Sequence, residues 1–345
     1  MTIRVVHTPW NAQNPYQRLM GEGMLSAGFE VEGVSASFRF GDLVPNAGVE
    51  LLHFHWAHHW SCRPLARVCV RGPLLAARIR SFQKRGGRVF WTVHNLGNHE
   101  KKNKVRDWAV SCSLARLADG LFVHSEAAAD AVQLAYSVAS RKVHVVPHGN
   151  YVGCYPDSGT REEARSLLNI RPTARVVLFF GTIREYKGVQ NLIRAFLAAK
   201  EPGWHLVIAG QPGPPSLRGE IESMVAGQES ITFHPGFVSE SDVWKYFKAA
   251  DLVAMPYLDS LTSGAVVLAM SFGRAVLIPD NRFMAEMAGP AGIQYECCPR
   301  GLIEGLGCLR ETESLSDRGE AGYLRALDWD WGGIGKRVGE IYLNV

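Results

Sequence analysis

The sequence predicts an α/β protein built of two doubly wound domains, each a mostly parallel sheet with helices on both faces. Three observations predict it. A chain of 345 residues exceeds one ordinary hydrophobic core and suits two domains of about 150–200 residues. Short β-rich runs alternate with helical patterns in two series, as parallel strands covered on both faces require. A turn-rich stretch, from His148-Gly149-Asn150-Tyr151 through Asp157-Ser158-Gly159, separates the two series. The expected domains are 1–152 and 153–328, with 329–345 a closing helical segment.

The first series opens with a strand at 3–9, IRVVHTP. Asn14 reads as a helix N-cap and Pro15 as the first helical residue, where its missing N–H is harmless, so a helix runs to about Ala27. Strands follow at 50–55, 87–93, 120–124 and 142–147, with helices at about 64–84, 104–118 and 126–138. The second series has strands at 175–181, 205–209, 230–234, 251–256 and 275–278. Its helices fall at 187–199, 216–226, 239–249 and 262–272, and Trp329 to Tyr342 forms a closing amphipathic helix. Two such domains facing each other bring the carboxyl ends of both sheets to one central cleft, where ligands of open α/β sheets bind.

Composition narrows the class. With 47% hydrophobic and 20% charged residues the chain is neither disordered nor fibrous. The opening MTIRVVHTPWNAQ lacks the basic and apolar regions of a signal peptide. No apolar run approaches the roughly 18–20 residues that cross a bilayer. The cysteines, at 62, 69, 112, 154, 297, 298 and 308, are odd in number and form no CxxC pair. They read as reduced thiols of a cytoplasmic protein. Residues 1–150 hold 18 Lys and Arg against 10 Asp and Glu, while the remainder holds 19 against 23. The excess gathers between Arg63 and Arg88 and at Lys101, Lys102, Lys104 and Arg106. A basic first half points to an anionic partner such as a membrane surface or a pyrophosphate; a solvated helix face gives the same pattern.

The strongest chemical pattern lies in the second half. The run Phe180-Gly181-Thr182-Ile183-Arg184-Glu185-Tyr186-Lys187-Gly188 ends a buried strand at a glycine and leads into a helix. Gly181 permits close backbone approach, a helix N-terminus favours an anion, and Arg184 and Lys187 add charge for two phosphates. Gly210 closes the next strand in Ala209-Gly210-Gln211-Pro212-Gly213. Phe237 and Val238 follow the third and offer an apolar wall to a nucleobase. After the fourth strand, Thr262, Ser263 and Gly264 offer hydroxyls and N–H groups to a pyrophosphate, and Asp259 an acceptor for a ribose or sugar hydroxyl. Taken alone, the 180–188 run is equally a loop with incidental basic residues, and Asp259 equally reads as a charge at a helix N-terminus.

Together, FGTIREYKG, IAGQPG, FHPGFVSESDVWKYFKAADLVAMPY and SGAVVLAMSFGRAVL resemble the donor-binding half of GT-B glycosyltransferases of the family-4 type, across about 175–290. That resemblance implies two Rossmann-like domains, a UDP- or GDP-sugar donor and chemistry without metal or cofactor. It assigns Arg184 and Lys187 to the departing diphosphate, where electrostatic help is needed as charge develops. Retaining members carry an E-x7-E pair around the following helix. Here Ser260 and Leu268 stand at those positions, so a retaining mechanism does not carry over.

The first half is then the acceptor side. His53-Phe54-His55-Trp56-Ala57-His58-His59-Trp60 and Trp91-Thr92-Val93-His94-Asn95-Leu96-Gly97-Asn98-His99-Glu100 place imidazoles and indoles at strand ends, suited to stacking on and hydrogen-bonding to a sugar. Alternation of His53 and His55 on a buried strand marks local hydrogen bonding rather than a metal site. WTVHN, the following HE and NPYQRL, which includes Tyr16, resemble a subgroup of bacterial exopolysaccharide transferases that contains the xanthan-type β-mannosyltransferases. The subgroup implies GDP-mannose, a polyprenyl-pyrophosphate-linked acceptor and inversion, which needs a general base. Glu100 is the leading candidate, followed by His94 and His99. His99, Tyr16 and His148 are the expected acceptor contacts. The expected function is a peripheral, cytoplasmic glycosyltransferase of polysaccharide assembly. A nucleotide-sugar epimerase and a nucleotide-sugar-binding protein without transferase activity are the competing classes. Nucleic-acid binding is disfavoured, because the basic residues lack interleaved aromatics.

Overall fold

The structure is a computed structural model and describes residues 3–34, 50–56, 65–97, 104–199 and 201–345. The chain forms two compact units, Met1–Gly149 with Trp329–Val345, and Asn150–Asp328.

In the first unit, β1 (Ile3–Thr8), α1 (Pro15–Ser26), β2 (Phe29–Gly33), β3 (Leu51–Phe54), α2 (Leu65–Lys84), β4 (Arg88–Thr92), α3 (Lys104–Leu117), β5 (Gly120–Val123), α4 (Glu126–Tyr136) and β6 (Val143–Val145) follow one another. All strand pairs are parallel, in the order β2-β1-β3-β4-β5-β6. Strand order turns back at β1, which opens a crevice at the carboxyl ends of β1 and β3. α1 starts as its sequence dictates: Asn14 accepts from the Tyr16 N–H at 3.1 Å, and Pro15 occupies the first turn.

The sequence pattern did not mark β2. It is an edge strand with Phe29 buried and Glu30 exposed, so it carries no apolar run. The last helix, α13 (Trp331–Asn344), completes this unit's core. Ile334, Val338 and Tyr342 pack with Val5, Met20, Met24, Phe29, Phe90 and Phe122.

In the second unit, α5 (Arg161–Leu167), β7 (Arg175–Phe180), α6 (Val189–Ala199), β8 (Trp204–Gly210), α7 (Pro215–Val225), β9 (Ile231–Pro235), α8 (Val243–Ala249), β10 (Leu252–Ala254), α9 (Gly264–Ser271) and β11 (Ala275–Pro279) match the alternation in the sequence. They are followed by α10 (Arg282–Ala288), β12 (Gly292–Tyr295), α11 (Pro299–Leu306) and α12 (Thr312–Leu327). The sheet is again wholly parallel, in the order β12-β11-β10-β7-β8-β9, and its switch point lies between β7 and β10. Every residue of β8 is buried, as a central parallel strand requires.

Some boundaries differ from expectation. The helix expected from 187 starts at Val189, because Glu185–Lys187 forms a single 3-10 turn that ends on left-handed Gly188. The helix expected from 262 starts at Gly264. Cys112, Cys154, Cys297, Cys298 and Cys308 are free thiols. Among the described residues, no helix is long and apolar enough to cross a membrane.

Candidate active site

In the second unit, the expected donor residues converge at the carboxyl ends of the strands flanking the switch point. Gly181 leaves β7 at φ +119 and Gly210 leaves β8 at φ +147. A Cβ on Gly210 would stand 1.9 Å from the Gly181 carbonyl oxygen, so the two turns touch backbone to backbone. The Ile183 N–H donates to Gln211 O at 2.8 Å and the Gly213 N–H to Ile183 O at 2.9 Å. These bonds bring the Arg184 guanidinium against Gly213. The Gly236 N–H donates to Gly210 O at 3.2 Å, which ties the loop after β9 to the same corner. There Phe237 is 81% exposed, an apolar ring left in water beside a polar crevice.

Lys187 reaches into this corner. Its Nζ lies 3.7 Å from where a Gly181 Cβ would stand, donates to Thr182 Oγ1 at 3.3 Å, and sits 5.4 Å from the Tyr257 ring centroid. Burial lowers its pKa, and nearby Arg184 lowers it further. The ammonium is therefore poorly solvated, and an anion would relieve it. The Tyr257 hydroxyl bonds Ser263, and burial pushes its pKa up to about 12. Ser263 is the N-cap residue of α9, whose helical N–H groups follow from Gly264. Thr262 Oγ1 is buried without a hydrogen-bond partner among the described residues. Asp259 is exposed in the same loop and acts electrostatically on Tyr186, the residue before Lys187. Gly181, Arg184, Lys187, Gly210, Phe237, Val238, Asp259, Thr262, Ser263 and Gly264 thus belong to neighbouring turns of one sheet edge. Tyr186 and Tyr257, which flank Lys187, were not singled out in the sequence.

In the first unit, the carboxyl ends of five strands deliver histidines to one buried cluster. His7 and His53 are register partners on β1 and β3. His55, His94, His124 and His148 follow β3, β4, β5 and β6. His7 Nδ1 and His55 Nε2 are 3.0 Å apart, and His55 Nδ1 and His94 Nε2 are 3.3 Å apart. His53 bonds Thr92 Oγ1 at 2.7 Å through Nε2 and the Tyr342 hydroxyl through Nδ1. Tyr16 lies edge-on to His55 and His94 and against His124 and His148. Trp56 stacks on His94 at 4.7 Å. Burial depresses His7 and His148 to about 3 and His124 to about 4. His53 and His55 fall well below the ordinary value, through burial first and then through neighbouring histidines, His7 foremost for His53 and His53 foremost for His55. These imidazoles are neutral at physiological pH.

The nitrogens of His7, His53 and His55 lie within 4.8 Å of one another, close enough to consider a metal. The rings of His53 and His55, however, stack at 4.5 Å with planes 16° apart. A shared ion, about 2.0–2.1 Å from each nitrogen, would lie out of a ring plane. Both His53 nitrogens are also engaged. The arrangement is a hydrogen-bond network, as the alternation of His53 and His55 implies. His7 and His124, central to it, were not singled out, because the register that gathers them is non-local. Glu100, His99, His58, His59, Trp60, Arg63, Lys101 and Lys102 lie outside the described residues.

Residues 174–309 match the family model described as glycosyl transferases group 1. The whole chain superimposes on solved GT-B enzymes. For sucrose-phosphate synthase of Thermosynechococcus elongatus the TM-score is 0.77 at 16% identity, covering 99% of this chain and 98% of that one. For Anabaena HepE in complex with UDP it is 0.78 at 15% identity, covering both chains completely. The chain is a glycosyltransferase with the GT-B fold, and its residues 174–309 carry the group 1 pattern. Among curated proteins it is similar to the GDP-mannose:glycolipid 4-beta-D-mannosyltransferase of Xanthomonas campestris pv. campestris. That relative is 27% identical over 307 residues, which span 86% of this chain and 79% of the relative. A shorter match, 32% identical over 124 residues and 34% of the chain, is to D-inositol 3-phosphate glycosyltransferase of Mycobacterium ulcerans.

Proposed function

We propose that the enzyme transfers mannose from GDP-mannose to a hydroxyl of a glycan or lipid-linked oligosaccharide in polysaccharide assembly. The observation that carries this reading is the convergence of Arg184, Lys187 and the Thr262–Gly264 turn on one sheet edge. It is supported by a relative that uses GDP-mannose and a glycolipid and aligns along most of the chain. In this reading Lys187 and Arg184 take the diphosphate, assisted by the unpartnered Thr262 hydroxyl, Ser263 and the Gly264 N–H. Cationic side chains supply the charge that a metal supplies elsewhere, so no metal or cofactor is required. Phe237 and Val238 face the base, Asp259 accepts from a hydroxyl, and Gly181 and Gly210 keep the backbone out of the ligand's way.

The first unit takes the acceptor. Glu100 is the leading general base and His94 the second. Tyr16, His99 and His148 line the acceptor side. Ser260 and Leu268 stand in place of two glutamates of retaining members, and likeness to a β-mannosyltransferase supports inversion, in which the base removes the hydroxyl proton as the diphosphate departs. The basic residues of this unit hold the enzyme at the anionic cytoplasmic face of the membrane, worth roughly 1 kcal/mol per cation near the surface. A UDP-sugar donor is the second reading, favoured by the UDP held in the Anabaena neighbour.

A thermal-shift screen of nucleotide sugars, followed by product analysis with lipid-linked acceptors, tests the proposal. Stabilisation by GDP-mannose and release of GDP only with acceptor are expected. Stabilisation by UDP-sugars alone would move the assignment to the second reading. Binding without turnover under any acceptor would overturn transfer.

A further inference from the structure

One cavity of the first unit has no part in the roles above. It lies beyond the carboxyl end of β4, measures about 10 Å³, and is lined by Trp56, Trp91, His94, Asp107 and Ser111 among others. That is room for a single water. Its walls are polar. Asp107, in the first turn of α3, is 3% exposed. Its Oδ2 lies 3.3 Å from where a Gly97 Cβ would stand, so the carboxylate abuts the loop that carries His94. Trp91 is 2% exposed, and its Nε1 is buried with no hydrogen-bond partner among the described residues. A buried indole N–H needs an acceptor, and a polar space of this size with two to four polar neighbours holds water rather than staying dry.

His94 borders the same cavity. Among the described residues its titratable neighbours are His55 from the end of β3, His124 from the end of β5, Tyr16 from α1 and Asp107 from α3. Burial keeps His55 and His124 neutral, with His53 and His7 neutral behind them. Burial raises the Tyr16 phenol well above its ordinary range, so it too is uncharged. The carboxylate of this group is Asp107.

We propose that Asp107 is a positioning residue for His94, its carboxylate reaching the imidazole through one water shared with the Trp91 N–H. The inference rests on the reading of His94 as a proton acceptor. When His94 takes the proton of an acceptor hydroxyl, the charge that appears on its ring faces Asp107 across the cavity. The proton stays on His94, none passes to Asp107 and the water stays neutral. Neutral histidines on the opposite side orient the ring but offer no countercharge.

The experiment is a ¹⁵N NMR titration of the His94 imidazole in the full chain, alongside the pH profile of kcat/KM. Wild type, Asp107→Asn and Trp91→Phe are compared. Loss of the negative charge makes the imidazolium less stable. Asp107→Asn therefore lowers the His94 pKa by about 1 unit and moves the acidic limb of kcat/KM to lower pH by the same amount. Trp91→Phe, which removes the water's donor and keeps an aromatic ring beside Tyr136, shifts both in the same direction by less. An unchanged His94 pKa in these variants, with melting temperatures attesting the fold, overturns the proposal. If Asp107→Asn does not fold, Trp91→Phe alone decides. Full activity in His94→Gln would instead remove His94 as proton acceptor, while the titration still judges its coupling to Asp107.

Discussion

Replacing Lys187 by methionine removes an ammonium and retains most of its stem, and the structure implies opposite consequences for stability and catalysis. Burial lowers the Lys187 pKa, so the unfolded chain holds that proton more tightly than the fold does. The folded ammonium bears a desolvation penalty that the unfolded one escapes. Methionine removes that penalty. It also forfeits the bond to Thr182 and the contact with the Tyr257 ring, the latter worth about 0.5–1 kcal/mol. The terms nearly offset, so the ligand-free melting temperature moves by no more than about 2–4 °C.

With a diphosphate about 4 Å away, a unit charge pair at an effective dielectric near 20 is worth about 4 kcal/mol. Losing it as the leaving group departs costs about 10²–10³ in kcat/KM. Nucleoside diphosphate release measures the rate, and scanning fluorimetry with and without GDP measures binding. Near-wild-type kcat/KM, together with an undiminished GDP-dependent rise in melting temperature, would refute the electrostatic reasoning.

Three further outcomes follow from the geometry. Gly210→Ala forces a methyl group into the Gly181 carbonyl at a φ that side chains avoid; a loss of about 1–3 kcal/mol in urea unfolding is expected, and an unchanged midpoint would contradict the contact. Phe237→Ser removes a ring that is already exposed, so stability holds while calorimetry shows nucleoside diphosphate binding weakened by about 0.5–1.5 kcal/mol; equal affinity would release Phe237 from the base site. His7 and His148, depressed to about 3, and His124, depressed to about 4, are protonated more readily in the unfolded chain. Their contribution to stability is intact above pH 6.5 and erodes as pH falls toward those values, by at most about 1.4 kcal/mol per pH unit for each; equal unfolding free energies at pH 7 and pH 5 would show that the cluster is not held neutral.

The parts legible in the sequence are those that local rules write. Asn14-Pro15 predicts the start of α1, and the buried runs around Val176 and Leu206 predict central strands. Glycines 181 and 210 mark the donor turns because each is a strand end read within a few residues. β2 and β12 escaped, since edge strands share their exposed face with solvent and lack a continuous apolar run. Lys187 was placed in a helix because periodicity does not reveal the left-handed residue Gly188 that ends the 3-10 turn. Asp107 was illegible as a candidate for a different reason. An acid in the first turn of a helix is ordinary dipole chemistry, and only tertiary packing sets it beside His94. The histidine cluster is assembled by strand register, which relates residues as distant as 7 and 148.

The closing helix α13 has a consequence for biogenesis. Gly335 meets the backbone of Gly23 so closely that a Cβ there would lie 2.2 Å from the Gly23 oxygen, and Tyr342 caps the buried face of the amino-terminal sheet. Residues after Asp328 therefore finish the unit that residues before Asn150 begin, so its core closes only once both stretches have been made. Until they appear, a nascent chain leaves Met20, Met24, Phe29 and Phe122 uncovered, while Asn150–Asp328 already has a contiguous segment from which to mature.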